Sequence, residues 1–444
     1  MLDKLPSKRG GTRMKRYKQL VGIMLLCIGF VSGCSSSEEP NEPAALPPAV
    51  EDSVEVSPEQ GQTLTVVPPE ASNQKSATDK GKYRIQTKLT DFQLLSETKG
   101  IAWGVTRNEL RLYLTKDNGR TWVNISPSPN VQFPANPRYG KDIYFTDPMH
   151  GWIVVDTPGM PETIVLHTSN GGEEWDIASF PQKNKVSAIT FDSPKRGWIM
   201  ATEDSSTGKE LKVLYRTDDG GSAWNVVMQN SIYDPAKTEA SSPIPHLGYT
   251  IGMSFTDSMH GYVLLSEHGE PKLYRTNDGG NKWMNGPVFL NKEKMKTCSS
   301  YTTGTPQFFD SAHRESWIPV GCQIGDSVKY NGYFTMDGGL NWNFVNFGLG
   351  KSIGFNQSLR PTFINSSEGW ALVGATLYHT IDQGKNWAAV PDNSVLRERL
   401  KDFPEVVKLQ FSSPKVGWML IENIEKKSSR LLQTMDGGIT WRVL

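Results

Sequence analysis

An all-β, seven-bladed propeller of four-stranded antiparallel blades is the fold this sequence predicts, and three observations predict it. A Thr-x-Asp-x-Gly-x-x-Trp motif recurs seven times after residue 88. A Phe-to-Gly-Trp pair leads most copies, and 41 glycines with 13 tryptophans mark a turn-rich chain packed by aromatic rings. The 444 residues suffice for one large repeat domain. Lys plus Arg and Asp plus Glu stand at 47 each, so no charge excess points to nucleic acid.

The N-terminus reads as an address. Lys15, Arg16 and Lys18 precede an apolar run from Leu20 to Val31, too short to cross a bilayer and suited to a signal-peptide core. Met14 fits a natural start, which would make residues 1–13 an over-extension. Val31-Ser32-Gly33-Cys34 resembles the lipobox of bacterial lipoproteins. That resemblance implies removal of 1–33, lipidation of Cys34 and an extracytoplasmic, membrane-anchored protein. Residues 34–82 then form the lipidated cysteine and a Pro/Glu/Ser-rich tether with no basic residue before Lys75, too polar to repay the entropy of ordering.

Residues 83–444 are the predicted propeller. The turn motif starts at Thr115, Thr168, Thr217, Thr276, Thr335, Thr380 and Thr434, at intervals of 53, 49, 59, 59, 45 and 54 residues. Its acids are Asp117, Asp219, Asp278, Asp337, Asp382 and Asp436, with Asn170 in the second copy. Its tryptophans are Trp122, Trp175, Trp224, Trp283, Trp342, Trp387 and Trp441. An Asp accepting backbone N–H groups and a Gly at positive φ make a turn, and the Trp opens the next strand. Ahead of it stand Gly151-Trp152, Gly197-Trp198, Gly369-Trp370 and Gly417-Trp418, each with a Phe seven positions before the Trp. Tyr262 replaces Trp after Gly261, Trp317 follows Ser316, and Trp103 fills the slot in the first repeat. Such a unit cannot bury both faces alone, so units stack around an axis.

The turn motif resembles the Asp-box, or bacterial neuraminidase, repeat of the sialidase and sortilin-like propellers. The whole unit most resembles the photosystem II assembly and stability factor family, over residues 88–444. That resemblance implies seven blades and an assembly role without catalysis. Ring closure is left open between packing of the first blade on the last and an added strand from Tyr83 to Thr87.

Function is sought on the long segments, Ser126 to Lys141, Val226 to Tyr249, Met284 to Gln307 and Phe344 to Leu359. These are expected on the face opposite the Asp turns, where a rigid scaffold carries binding loops. Candidate contacts are Arg138, Tyr139, Tyr233, His246, Tyr249, Tyr301 and Tyr330, with a Cys298–Cys322 disulfide bracing one loop. The partner would be an envelope protein or a cell-wall glycan. The competing reading is a sialidase- or xyloglucanase-like glycoside hydrolase. Tyr83-Arg84-Ile85-Gln86 is similar to the sialidase opening Phe/Tyr-Arg-Ile-Pro but lacks its Pro. Gly350-Lys351-Ser352-Ile353-Gly354 matches a nucleophile elbow without the strand–turn–helix context that motif needs. No cofactor motif and no metal-ligand spacing is read. The acids of Thr217-Asp218-Asp219-Gly220 do not match a helix–loop calcium site.

Overall fold

The computed structural model describes residues 62–68 and 82–444, apart from 128–132, 134–135, 156–160, 182–184, 232–242, 310–311 and 392–393. Cys34, Tyr233 and the leader lie outside the described residues. Seven antiparallel sheets follow one another along the chain. The first blade holds Asp91–Leu94, Gly100–Thr106, Glu109–Thr115 and Val123–Asn124, hydrogen-bonded in chain order. The last holds Glu405–Phe411, Gly417–Asn423, Ser428–Thr434 and Arg442–Val443. First strands of neighbouring blades pack on one another, which places them around the axis. The fifth blade departs from four strands. Ser300–Thr303 and Gln307–Phe308 both pair with Ser316–Ile324, and Ser352–Ile353 joins Ser327–Thr335. The nucleophile-elbow look-alike is therefore a short strand leading into a 3-10 turn, Gly354–Ser358.

The Phe-to-Gly-Trp spacing has a steric cause. Phe145, Phe191, Phe255, Phe363 and Phe411 face Gly151, Gly197, Gly261, Gly369 and Gly417 across the hairpin. The ring lies on the glycine: a Cβ on Gly417 would sit 2.6 Å from Phe411, and one on Gly369 2.7 Å from Phe363. Only glycine leaves that space. The following indole then stacks on the Phe of the next blade, at 3.5 Å for Trp152–Phe191, 3.7 Å for Trp198–Phe255 and 4.0 Å for Trp370–Phe411.

Two turns finish each unit, on the same face. In the Asp turn the Thr hydroxyl donates to the Asp carboxylate and accepts the Gly N–H four residues on, as in Thr217–Asp219 and Thr217–Gly221. The same carboxylate accepts the N–H of Ala223 at 3.0 Å. The hairpin between first and second strands carries a cap of its own. Asp147, Asp257 and Asn365 accept two backbone N–H groups each, and Ser413 does so with its hydroxyl. An amide of the Asp turn then donates to that hairpin, as in Gly220 to Lys195 at 2.7 Å and Gly437 to Lys415 at 2.9 Å.

Blades are linked by polar bonds as well. Trp152, Trp198 and Trp370 donate their indole N–H to the carbonyls of Gly220, Gly279 and Gly437, each in the following blade's Asp turn. Tyr262 does the same with its hydroxyl to Gly338, and Trp418 donates to the Asn118 side chain at 2.9 Å. The link is missing at Trp103, which donates to Pro137, and at Trp317, which donates to Gln307 of its own blade. Trp103, Trp152, Trp198, Trp317, Trp370 and Trp418 are fully buried, whereas Trp175, Trp224, Trp342 and Trp387 of the Asp-turn motif are half-buried. Trp122, Trp283 and Trp441 of the same motif are buried, so burial at this position varies from blade to blade.

Closure also differs from expectation. Tyr83–Thr87 joins no blade; it pairs with Gln62–Val66 in a separate two-stranded sheet. A strand ahead of residue 82 thus packs on the blades. Gln62-Thr63-Leu64-Thr65-Val66 alternates, is β-branched, and buries Leu64 and Val66. This hairpin clasps the junction of the first and last blades. Trp122 of blade 1 donates to Thr65 at 2.9 Å and accepts from Val67 at 2.8 Å. The Gln62 amide, fully buried, bonds Leu431 and Leu444 of blade 7. Beneath it Leu94 donates to Gln410, Leu89 to Ser429, and Lys88 pairs with Glu422.

Gly417→Ala is expected to lower unfolding free energy by about 1–3 kcal/mol, through displacement of Phe411. Urea unfolding with an unchanged m-value checks it. Gln62→Leu should destabilise the chain by about 1–3 kcal/mol by orphaning buried backbone groups of blade 7, read in the same way.

Candidate functional site

The long-loop residues read from the sequence do not form one surface. Arg138 and Tyr249 are exposed. Tyr139 turns inward: its hydroxyl donates to Phe145 at 2.7 Å and its ring stacks on Tyr144 at 5.3 Å. Burial, then the neighbouring Tyr144, pushes the Tyr139 phenol well above its ordinary value. Tyr330 is a strand residue, 4% exposed, facing Gly321 across its hairpin. Tyr301 packs partly buried against the Cys298–Cys322 cluster. The two cysteines are bonded, with Cα atoms 5.1 Å apart. These aromatics are packing residues, Tyr301 and Tyr330 from within strands and Tyr139 through its bond to Phe145.

His246 and Tyr249 owe their place to a lysine the sequence did not flag. Lys212 is fully buried and donates to the carbonyls of Gly248 at 2.8 Å and Pro245 at 3.1 Å, with the Glu210 carboxylate 3.5 Å away. Glu210 in turn accepts the Thr250 N–H and hydroxyl, and Glu210 donates its own N–H to His246. The Tyr249 hydroxyl accepts the Gly208 N–H at 2.9 Å. The segment is thus fixed to the third blade by a charge buried among carbonyl oxygens.

The axis carries the better candidate. Three residues before each first-strand aromatic (Leu94 and Phe308 standing in for Phe in the first and fifth blades) come Asp91, Asp142, Ala188, Gly252, Thr305, Arg360 and Lys408. In blades 3, 4 and 7 the pairing slips just before this position, at Val186/Ala188, Thr250/Gly252 and Val406/Lys408. Such bulges re-aim a side chain. Lys408 donates to the Phe92 carbonyl at 2.6 Å and Gln93 at 3.0 Å, lies 3.4 Å from Asp91, and sits over the Phe92 and Tyr139 rings. Asp91 also accepts the Phe92 N–H, and Asp142 accepts the Arg138 N–H at 2.8 Å. Arg360 differs. It keeps part of its surface in solvent while its guanidinium leans on Gly304, where a Cβ would meet Nη1 at 2.5 Å. Burial pulls its guanidinium below the ordinary value, with Tyr330 acting the other way.

The nearest approach to an acid–base pair is Glu405 and Glu422, cross-strand neighbours in blade 7. Burial, then Glu422, raises the Glu405 carboxyl, while Glu422 is paired with Lys88. Among the described residues no cluster of His, Cys, Asp and Glu could hold a metal ion. His379 shares its repeat slot with His167, Arg216 and Arg275, and it stacks on Trp370 at 4.7 Å and bonds Glu368 at 3.0 Å. No helix among the described residues is long and apolar enough to cross a membrane.

No protein-family model matches the chain. Two curated relatives are similar over part of it. Vacuolar protein sorting/targeting protein 10 of Paracoccidioides lutzii (strain ATCC MYA-826 / Pb01) is 23% identical over 128 residues, 28% of this chain and 8% of that protein. Photosystem II assembly lipoprotein Ycf48 of Synechococcus sp. (strain CC9902) is 26% identical over 157 residues, 35% of this chain and 38% of that protein. The chain thus spans well under half the length of either. Among solved structures, the GH74 xyloglucanase from Xanthomonas campestris has a TM-score of 0.50 at 14% identity, covering 80% of this chain and 54% of that one. The structure described as YCF48 bound to D1 peptide has a TM-score of 0.49 at 20% identity, covering 78% and 91%.

Burial acts to raise the carboxyls of Asp219, Asp337, Asp382 and Asp436, but their turns' N–H, hydroxyl and amide donors outweigh it and hold them below the ordinary 3.8. A lowered folded pKa contributes stability that is full above the unfolded value and is lost as pH falls through the folded one. Urea midpoints should therefore be flat above about pH 5 and fall below about pH 4. Asn170 Oδ1 already accepts the same bonds, from the Thr168 hydroxyl at 2.9 Å and the Glu174 N–H at 3.0 Å. Asp219→Asn should then retain the fold and shallow the acid slope, and an unchanged slope would count against this account.

Proposed function

We propose that this chain is a lipid-anchored, extracytoplasmic propeller that binds a protein segment at the axial end of its first strands and serves assembly, without catalysis. The observation that carries this reading is the state of the axial charges. Asp91 and Asp142 are tied to backbone amides, with Lys408 beside Asp91, while Arg360 stands without a carboxylate among the described residues. Glycoside cleavage needs two carboxyl groups free to face a sugar, about 5–10 Å apart. Pairs engaged in backbone bonds do not supply that, whereas a rigid rim with one open cation suits recognition of a peptide. The similarity to an assembly lipoprotein and to a propeller described with a bound peptide supports the same direction. The lipobox at Cys34 supports the anchor. The envelope glycan remains the competing ligand, favoured by the xyloglucanase likeness in fold.

The test is photo-crosslinking of the full chain in its native envelope, with the label at Arg138 or Tyr249. A discrete protein adduct is expected, and recovery of glycan or lipid alone would overturn the reading. Xyloglucan and sialyl-lactose should show no turnover, with Glu405→Gln as the control. Cys34→Ser should release the protein from the membrane fraction.

A further inference from the structure

Blades 5 and 6 meet at a charge that nothing described in the protein neutralises. Of the seven equivalent positions ahead of the first-strand aromatics, four are uncharged or engaged acids beside small neighbours, and two more answer each other. Lys408 lies 3.4 Å from Asp91 and bonds a carbonyl and an amide. Arg360 has no ion pair among the described residues. Its electrostatic neighbour is Tyr330. The Tyr330 hydroxyl is buried and makes no well-directed hydrogen bond, although the guanidinium and the Thr302 hydroxyl lie beside it. Gly304 leaves the room: any larger residue would put a Cβ against Nη1 and against Pro319. On the far side stand Thr305 and then Gly252, so the wall facing the cation is small and neutral.

A guanidinium that leans on protein on one side, with no counter-charge there, leaves its other face open to an anion. A guanidinium presents a planar fork that matches the two oxygens of a carboxylate, and a neutral phenol beside it adds an O–H donor to the same anion. We propose that Arg360, with Tyr330, is the anchor for a carboxylate ligand entering the axis between blades 5 and 6. This rests on the binding reading above and names the chemistry of its ligand. The carboxylate can be a chain terminus or an acidic side chain, since both present the same two oxygens.

The experiment is arginine-directed labelling of the full chain with phenylglyoxal, read residue by residue by mass spectrometry. Three probes are compared: N-acetyl-trialanine with a free carboxylate, its amide, and amidated N-acetyl-Ala-Glu-Ala. Labelling of Arg360 should slow by about fivefold or more with either carboxylate probe at saturation, and remain unchanged with the trialanine amide, because the bidentate pair shields both nitrogens. Protection by the first probe alone assigns a terminus, and by the third alone a side chain; both outcomes support the proposal. Equal labelling in all three, or equal protection by the amide, overturns it. Arg360→Gln, with its melting temperature checked, should weaken calorimetric binding of the protected probe by about tenfold or more, and Arg360→Lys by less. If the Arg360→Gln chain still captures the envelope partner at wild-type yield, this inference fails and the binding reading stands. If neither chain captures a partner, the binding reading fails and the labelling alone decides the carboxylate site.

Discussion

A phenylalanine ring occupying the space of a missing Cβ is the constraint from which the rest of this structure follows. Because Phe411 lies on Gly417, the next residue is pushed into the gap between sheets, and Trp418 meets Phe92 and Trp122 there. The same step repeated at Phe145, Phe191 and Phe363 turns a local hairpin preference into a blade-to-blade stack. The indole N–H, which cannot be left unbonded in that gap, finds the Asp turn of the following blade. Turn chemistry and aromatic packing are therefore one interaction seen from two sides. An Asp turn that frays takes with it the acceptor of the previous blade's tryptophan.

Much of this could be read from the residues because it repeats. Blade number, the order of strands and the role of the Thr–Asp pair follow from spacing, and spacing survives in sequence. What could not be read is what occurs once, or what many residue types can do. The hairpin caps are filled by Asp147, Ser193, Asp257, Asn365 or Ser413, so no one residue type marks them all. The strand at Gln62–Val66 stands alone in a Pro- and Glu-rich stretch and has its partner beyond an intervening segment. Tyr139 looks like a loop aromatic until the fold shows its hydroxyl bonding Phe145, and Tyr330 lies inside the strand Ser327–Thr335. Arg360 and Lys408 were missed because cations were sought in the long loops. Aligning the seven repeats on their Phe and asking which position changes sign would have found both.

The seven units share a frame, and individuality lies where one unit breaks the pattern. Blade 5 has Ser316 where others have Gly, a disulfide, extra pairing strands and an indole bonded within its own sheet. It also lacks the indole link to blade 6, so the interface beside Arg360 is held by the Trp317–Phe363 and Phe347–Trp387 ring contacts. Loss of the repeated bond at this junction frees side chains there for another purpose, a freedom that the five junctions with the link do not have.

The hairpin clasp bears on the order in which the ring is made. Gln62 takes its acceptor and donor from Leu431 and Leu444, hundreds of residues away along the chain. During synthesis the early blades can stack on one another as they emerge, each against its predecessor. The strand Gln62–Val66 can pair with Tyr83–Thr87 and reach Trp122 of the first blade early, but the part of its apolar face that blade 7 covers stays open until the seventh sheet exists. A chaperone recognising Leu64 and Val66 in extended conformation would find its binding site open throughout that interval and shut by the final hairpin.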